Sequence, residues 1–239
     1  MYKDVIFKEE AFSVQTFSDY ESKVQAYKLR HEVFAQTLQW VPESKDGLEY
    51  DEYDKYAIHF GVFKQPDELT SYMRLILPHD LFMLEKIDTF RNLLPRDYVL
   101  NKKSAAEISR FCTRDDNRRN AMVKTQAKDF SQSILLLKGV YHWCNLNDIR
   151  YLYAVTEYKI HRLFKSYGFP FKNIIERPFY AMPDGTKVTI ISLDWREFEE
   201  ETIMKNRELH KMFKECHQYP KDHGTLLQQP SEDGSPCLI

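Results

Sequence analysis

The middle of the chain orders its patterns as strand, helix, strand. Residues 105–112 and 150–156 are short, mostly apolar runs, and residues 120–146 between them read as one long helix. Such a crossover unit must place its helix over the face of a sheet. Upstream, Ser18-x-x-Glu21 reads as a capping box. It opens a helix with Tyr20, Val24, Tyr27, His31, Phe34 and Leu38 at helical spacing. Residues 42–47 are polar and loop-like. Residues 57–63 and 71–77 read as strands joined by the turn Lys64-Gln65-Pro66-Asp67, and residues 81–94 as partly helical. Downstream, residues 158–167 form a helix with Gly168 as its C-cap, two strands flank a hairpin turn at Asp184-Gly185, and residues 197–216 form a last, charged helix. The stretch from about Pro220 is polar and reads as a mobile tail. This order predicts a mixed sheet with helices on both faces. There is no internal repeat.

A chain of 239 residues with 43% hydrophobic content makes one compact core, with room for two small ones. Its formal net charge of −2 gives no global attraction to nucleic acid or acidic membranes. The 15 Tyr and 16 Phe suit an apolar ligand tunnel, or simply an aromatic core. The four Cys (Cys112, Cys144, Cys216 and Cys237) have no CxxC spacing and no paired Cys/His cluster, so neither zinc nor a disulfide framework is indicated. A reducing cytoplasm fits that usage. Met1-Tyr2-Lys3-Asp4 begins no apolar signal region, and no apolar run approaches the roughly 18 residues of a membrane helix. Cys237 stands third from the end, which is not a prenylation box.

Several charged residues lie where charge is expensive. Arg74 falls mid-strand among apolar neighbours, so it needs an acidic partner, and Asp51, Asp54 or Glu107 can supply one. The alternative is a strand with one wet face. Glu107 and Arg110 are three apart in a strand and point to opposite faces unless a bulge within residues 108–112 resets the alternation. Arg30 and Phe34 share one helix face. Lys159, Arg162 and Lys165 occupy the outward face of the helix after Ala154, with Ile160, Leu163, Phe164 and Tyr167 as its inward stripe. His142, Cys144 and His161 make no metal or nucleophile arrangement.

Arg30-x3-Phe34-x5-Trp40, Asp51-x2-Asp54, Arg74 and Glu107-Ile108-Ser109-Arg110-Phe111, in this order and spacing, resemble the acyl-homoserine lactone synthases. The likeness runs from roughly residue 20 to residue 193. It implies an α/β fold: the single-domain Gcn5-related N-acetyltransferase-like three-layer sandwich, with a central mixed, mostly antiparallel sheet. That domain is expected over 1–195, followed by a helical extension over 196–219 and a flexible tail over 220–239. The acetyltransferase pyrophosphate loop Q/R-x-x-G-x-G/A is absent. Thr113-Arg114-Asp115-Asp116-Asn117-Arg118-Arg119 stands in its place, which speaks against an ordinary acetyl-CoA enzyme.

The resemblance implies that the α-amine of S-adenosylmethionine attacks an acyl thioester, from acyl carrier protein or acyl-CoA, and that lactonisation then releases methylthioadenosine. Both are substrates; no cofactor or metal is implied. Arg30, Phe34, Trp40, Asp51, Asp54 and Arg74 would surround S-adenosylmethionine, whose cationic groups suit aromatic faces and carboxylates. Glu107 would be the base, and Arg110 would hold the substrate carboxylate or Glu107. Phe111, Cys112 and Ala154 would lie beside the acyl thioester, and Lys159, Arg162 and Lys165 beside an acidic carrier protein. Ala154 stands where the family often has Thr in enzymes taking 3-oxo chains, which implies a preference for chains without that group. Pro78-His79-Asp80-Leu81-Phe82 departs from the family pattern and leaves the substrates open. Exosortase-associated acyltransferases, long-chain N-acyl amino acid synthases and a non-catalytic acyl-carrier-binding relative share parts of the pattern. Trp40 favours the lactone synthases.

Overall fold

The computed structural model describes residues 2–9, 11–64, 67–78, 82–114, 122–124, 129–180 and 182–215, without side chains at 122–124 and 129–131. The turn expected at Gln65 and Pro66, the divergent residues 79–81, the loop over 115–121 and the chain from Cys216 onward lie outside it.

The strands are β1 (Ile6–Glu9), β2 (Phe12–Phe17), β3 (Ala57–Lys64), β4 (Glu68–Ile76), β5 (Ala105–Thr113), β6 (Met122–Lys124), β7 (Asp129–Ser131), β8 (Tyr151–Glu157), β9 (Lys172–Asn173), β10 (Phe179–Tyr180) and β11 (Lys187–Asp194). Nine of them form one sheet in the order β1-β2-β3-β4-β5-β8-β11-β10, with β9 also on β11. Every pair in it is antiparallel except β5 with β8. That parallel pair needs a crossover, and α4 (Gln132–Leu146) supplies it. Three layers result, as the sequence predicts. α1 (Tyr20–Arg30) covers one face of the sheet, with the short α2 (Met83–Lys86) and α3 (Asp88–Arg91) beside it. α4, α5 (Tyr158–Tyr167), α6 (Trp195–Lys205) and α7 (Arg207–Lys214) share the principal core on the other.

Several elements differ from the sequence reading. The β1–β2 hairpin was not expected. α1 is capped by Asp19 accepting from Ser22 N, so the cap falls one residue after Ser18. The helix expected over 120–146 begins only at Gln132, just before the apolar run Ile134-Leu135-Leu136-Leu137; β6 and β7 pair antiparallel as a separate two-stranded sheet before it. The last helix is broken at Asn206, whose side chain caps α7 at Leu209 N and donates to Tyr167 O of α5. Leu163, expected inward, is 43% exposed. Gly168 ends α5 at φ 99°, as its type predicts.

Residues after 195 pack into the same core as the sheet: Trp195, Phe198, Leu209 and Phe213 are buried against Phe169 and Tyr141. Burying each such side chain contributes roughly 1.5–3 kcal/mol. Together they rival the net stability of a domain, about 5–15 kcal/mol. Residues 196–214 therefore extend the sequence pattern but not the packing unit.

Candidate active site

β4 and β5 lie side by side at the centre of the sheet. Their register places Ile76 opposite Glu107 and Arg74 opposite Ser109, then shifts to Tyr72 opposite Cys112. β5 thus advances three residues while β4 advances two, which is the bulge that the Glu107/Arg110 parity demands. Arg110 sits in it at φ 54°, a left-handed backbone uncommon for a residue other than glycine. Parity changes there. Glu107, Ser109, Arg110 and Cys112 share the face that carries Arg74, while Ile108 and Phe111 join the core on the other.

Three arginines and three carboxylates meet over this bulge. Arg30, at the end of α1, places Nε 2.5 Å from Glu49 Oε2 and Nη1 2.7 Å from Asp54 Oδ1. Arg74 forks onto Asp51 at 2.6 and 2.8 Å, donates to Asp54 at 2.7 Å, and donates from Nε to Ser109 Oγ at 2.7 Å. Arg110 Nη2 donates to Glu49 at 2.9 Å and to Asp51 at 3.1 Å. Asp51 and Asp54 are themselves a reciprocal cap on a 3-10 turn, Glu52–Lys55. Their spacing in sequence is therefore dictated by backbone geometry as much as by charge.

The cluster is formally neutral, and its members are ionised because each compensates another. Burial opposes ionisation of Asp54, but the guanidinium groups of Arg30 and Arg74 outweigh it and hold the carboxyl at about 2. Glu49 and Asp51 are also held down against burial, by Arg110 with Arg30 and by Arg74 with Arg110 respectively. Arg30 and Arg74 have no exposed side-chain surface; Arg110 keeps 19% and Asp51 24%. So Arg30, Arg74 and Asp54, expected around the small substrate, form the foundation of the site. Asp51 and Arg110 are its accessible edge.

Two aromatic residues border that edge. At His31 the helix changes to π-helical bonding through Thr37, with Leu38 N donating to Val33 O at 2.9 Å. This replaces the single helix expected as far as Leu38. The wider turn lets Trp40 N return to Phe34 O at 2.8 Å. The two rings lie 6.1 Å apart, with Phe34 5.7 Å from the Arg110 guanidinium. An open recess of about 630 Å3 lies along the following loop, bounded by Val41, Ser44, Asp46, Glu49 and Tyr50.

Glu107 stands on the same face with a different environment. It is 2% exposed. Its Oε1 accepts from Leu84 N at 3.3 Å, and among the described residues its Oε2 has no hydrogen-bond partner. Burial pushes its carboxyl up to about 8, over the opposing pull of the Met83 and Leu84 N–H groups and the Arg74 charge. Among the described residues its partners do not include Arg110, whose carboxylate partners are Glu49 and Asp51. The expected Glu107–Arg110 pair is thus a shared face without a direct bond.

β5 and β8 pair from Ala105 with Tyr151 to Ile108 with Ala154, and pairing stops where β5 bulges. Residues 109–113 and 155–157 are not paired with each other, which leaves a break, or cleft, in the ladder between these two parallel strands. Phe111 and Ala154 lie on the principal-core side of it, with Phe111 5.8 Å from Phe164. Cys112 packs on the opposite face with Tyr72 and Phe34, so the three expected acyl neighbours are divided by the sheet. Lys159, Arg162 and Lys165 are exposed on α5, with Lys159 paired to Glu157 at 2.6 Å. Among the described residues no group of three or more His, Cys, Asp and Glu is disposed to hold a metal.

Glu49 and Ser109 belong to the site and were not singled out from sequence. The sequence matched the arginines with Asp51, Asp54 and Glu107, so charge alone gave no signal for Glu49, which takes the place expected of Glu107 beside Arg110. Ser109 lies inside the motif that carried the resemblance.

A family model for autoinducer synthases matches residues 15–203, most of the chain. The chain belongs to the autoinducer synthase family. It is thereby an acyltransferase of the acyl-homoserine lactone synthase type. An acyl-homoserine-lactone synthase of Vibrio anguillarum is 27% identical over 169 residues, covering 70% of this chain and 83% of that protein. Two solved structures share the fold. TofI in a ternary complex with an inhibitor and MTA is 20% identical, covers 77% of this chain and 91% of that one, and has a TM-score of 0.61. BjaI, a CoA-dependent acyl-homoserine lactone synthase with SAM and isopentyl-CoA, is 19% identical, covers 81% of each chain, and has a TM-score of 0.62.

Proposed function

We propose that this autoinducer synthase acylates the α-amine of S-adenosylmethionine and closes the product to a homoserine lactone. The observation that carries the reading is the β5 bulge, which turns Glu107, Ser109 and Arg110 to one face beside the cleft between β5 and β8. The amine nitrogen attacks the thioester carbonyl, and the C–S bond breaks to release the thiol carrier. The attacking amine is neutral, and the Glu107 carboxylate, directly or through one water, accepts the proton that the nitrogen sheds as the amide forms. Its raised affinity for protons suits a base working near neutrality. Backbone N–H groups freed by the bulge polarise the carbonyl. The substrate carboxylate rests against Arg110, the guanidinium of the cluster with the most exposed surface. That carboxylate then attacks the γ-carbon, and methylthioadenosine leaves. The second step needs chiefly orientation, because the sulfonium is already a good leaving group.

Trp40, Phe34 and Asp51 hold the cationic groups of the substrate. The acyl chain enters the cleft past Phe111 and Ala154. Its carrier is acyl-CoA or an acyl carrier protein docking by Lys159, Arg162 and Lys165. No helix among the described residues is long and apolar enough to cross a membrane; we place the enzyme in the cytoplasm, where both substrates are made.

Incubation with S-adenosylmethionine and mixed acyl-CoA and acyl-carrier thioesters, followed by mass spectrometry, tests the reading. Methylthioadenosine and acyl-homoserine lactone are expected in equal amounts. An N-acylated amino acid without methylthioadenosine would point instead to a plain N-acyltransferase.

A further inference from the structure

Behind the charged cluster lies a buried pair that the reaction does not touch. His59 on β3 is 2% exposed and Tyr72 on β4 is fully buried, and His59 Nδ1 lies 2.7 Å from the Tyr72 hydroxyl. His59 Nε2 lies 3.4 Å from the main-chain oxygen of Asp54. A carbonyl oxygen only accepts, so Nε2 carries the proton and donates to Asp54. Nδ1 is then the acceptor, and Tyr72 donates to it. The pair thus has one sense of hydrogen bonding throughout.

Both ends of this pair grip the cluster. The Tyr72 ring lies 5.7 Å from the Arg30 guanidinium, and Tyr27 closes the sandwich at 5.3 Å. Tyr72 is also the β4 residue at which the register shifts for the bulge. His59 holds the backbone of Asp54, whose carboxylate takes Arg30 and Arg74. Phe17 stacks on the imidazole at 5.7 Å and fixes its plane. Burial keeps that imidazole neutral, with a proton affinity lowered to about 4. Arg30 in turn orients Glu49, and Glu49 orients Arg110.

We propose that His59 and Tyr72 are positioning residues that set the orientation of Arg30 and Asp54, and through Glu49 that of Arg110, for acyl transfer. This rests on the acyltransferase reading above. Neither residue touches substrate. Their effect is to keep a self-paired cluster in one arrangement, because its six groups could otherwise exchange partners at similar energy.

The test compares His59→Leu, His59→Gln, Tyr72→Phe and the His59→Leu/Tyr72→Phe double variant, in the full chain. Gln offers an acceptor and a donor, and Phe keeps the ring over Arg30 while losing the hydroxyl. Methylthioadenosine release should fall about tenfold or more in kcat for His59→Leu and Tyr72→Phe, the scale of a small misplacement of reacting groups. His59→Gln should regain most of it. The double variant should lose no more than the worse single one, because both cut the same link. In the 15N NMR spectrum of the imidazole at pH 7, the parent should show the neutral, Nε2-protonated tautomer, and Tyr72→Phe should shift the Nδ1 signal. Parent-like kcat in folded variants, additive losses, or an Nδ1-protonated His59 would each overturn the inference. A parent that releases no methylthioadenosine would overturn the acyltransferase reading instead, and the tautomer would still decide whether the hydrogen-bonded link exists.

Discussion

Asp54 and Glu107 are two nearly buried carboxyls on one face of one sheet, and their proton affinities move in opposite directions. Asp54 is held at about 2 and Glu107 is pushed up to about 8. Burial raises both. The difference is partners: two guanidinium groups bond Asp54 directly, whereas among the described residues Glu107 meets main-chain N–H groups and no bonded charge. Desolvation without a paired charge makes a group that can exchange a proton near neutrality, while desolvation with one makes a fixed ion. In the proposed mechanism the first serves the chemistry and the second the architecture.

The largest effect should come from breaking the fixed side. Arg74→Met leaves Asp51 and Asp54 with fewer compensating charges, and loss of one partner from a buried ion cluster costs about 3–5 kcal/mol. Urea unfolding should show it, and a loss below about 1 kcal/mol would mean that the cluster is solvated. Glu107→Gln breaks the exchanging side. It should slow acylation by about 10²-fold, the scale of a general base, with the urea midpoint kept or raised. Near-normal turnover would remove Glu107 from the role of base. Trp40→Ala should weaken S-adenosylmethionine binding roughly tenfold, the worth of one good cation–π interaction, and leave acyl-CoA binding unchanged. Calorimetry with each ligand separates the two, and equal losses would point to a distorted fold.

The smallest effect concerns the acyl chain. Ala154 lies on the cleft between β5 and β8 and offers no donor to a 3-oxo group. Ala154→Thr should shift the product ratio toward 3-oxo lactones by only a few-fold, because the apolar parent pocket rejects the extra oxygen weakly to begin with. A parent that already makes mainly 3-oxo lactones would contradict the reading of this position.

The bulge was legible because two residues with one task stood at the wrong parity for a regular strand. The cluster was legible in outline because an arginine among apolar strand residues demands carboxylates. Its depth was not. Pattern alone cannot say that Arg30 and Arg74 have no exposed surface, since that depends on α1 and the 3-10 turn closing over them. The β6–β7 pair and the π turn at His31 were missed for a related reason: both are decided by hydrogen bonding over a few residues, while the apolar spacing around them is helical. Phe111 and Cys112 were grouped by the family resemblance, yet a strand sends neighbours to opposite faces.

The most direct test of the division between the two carboxyls is the pH dependence of kcat/KM for the parent and for Glu107→Gln. The amine substrate itself titrates at about 7.7–8.0 as an ordinary α-amine. With Glu107 also losing its proton near 8, the parent rate should rise below that pH with a slope near two protons, and the Gln variant with a slope near one. The same single-proton slope in both proteins would contradict the claim that Glu107 takes the proton.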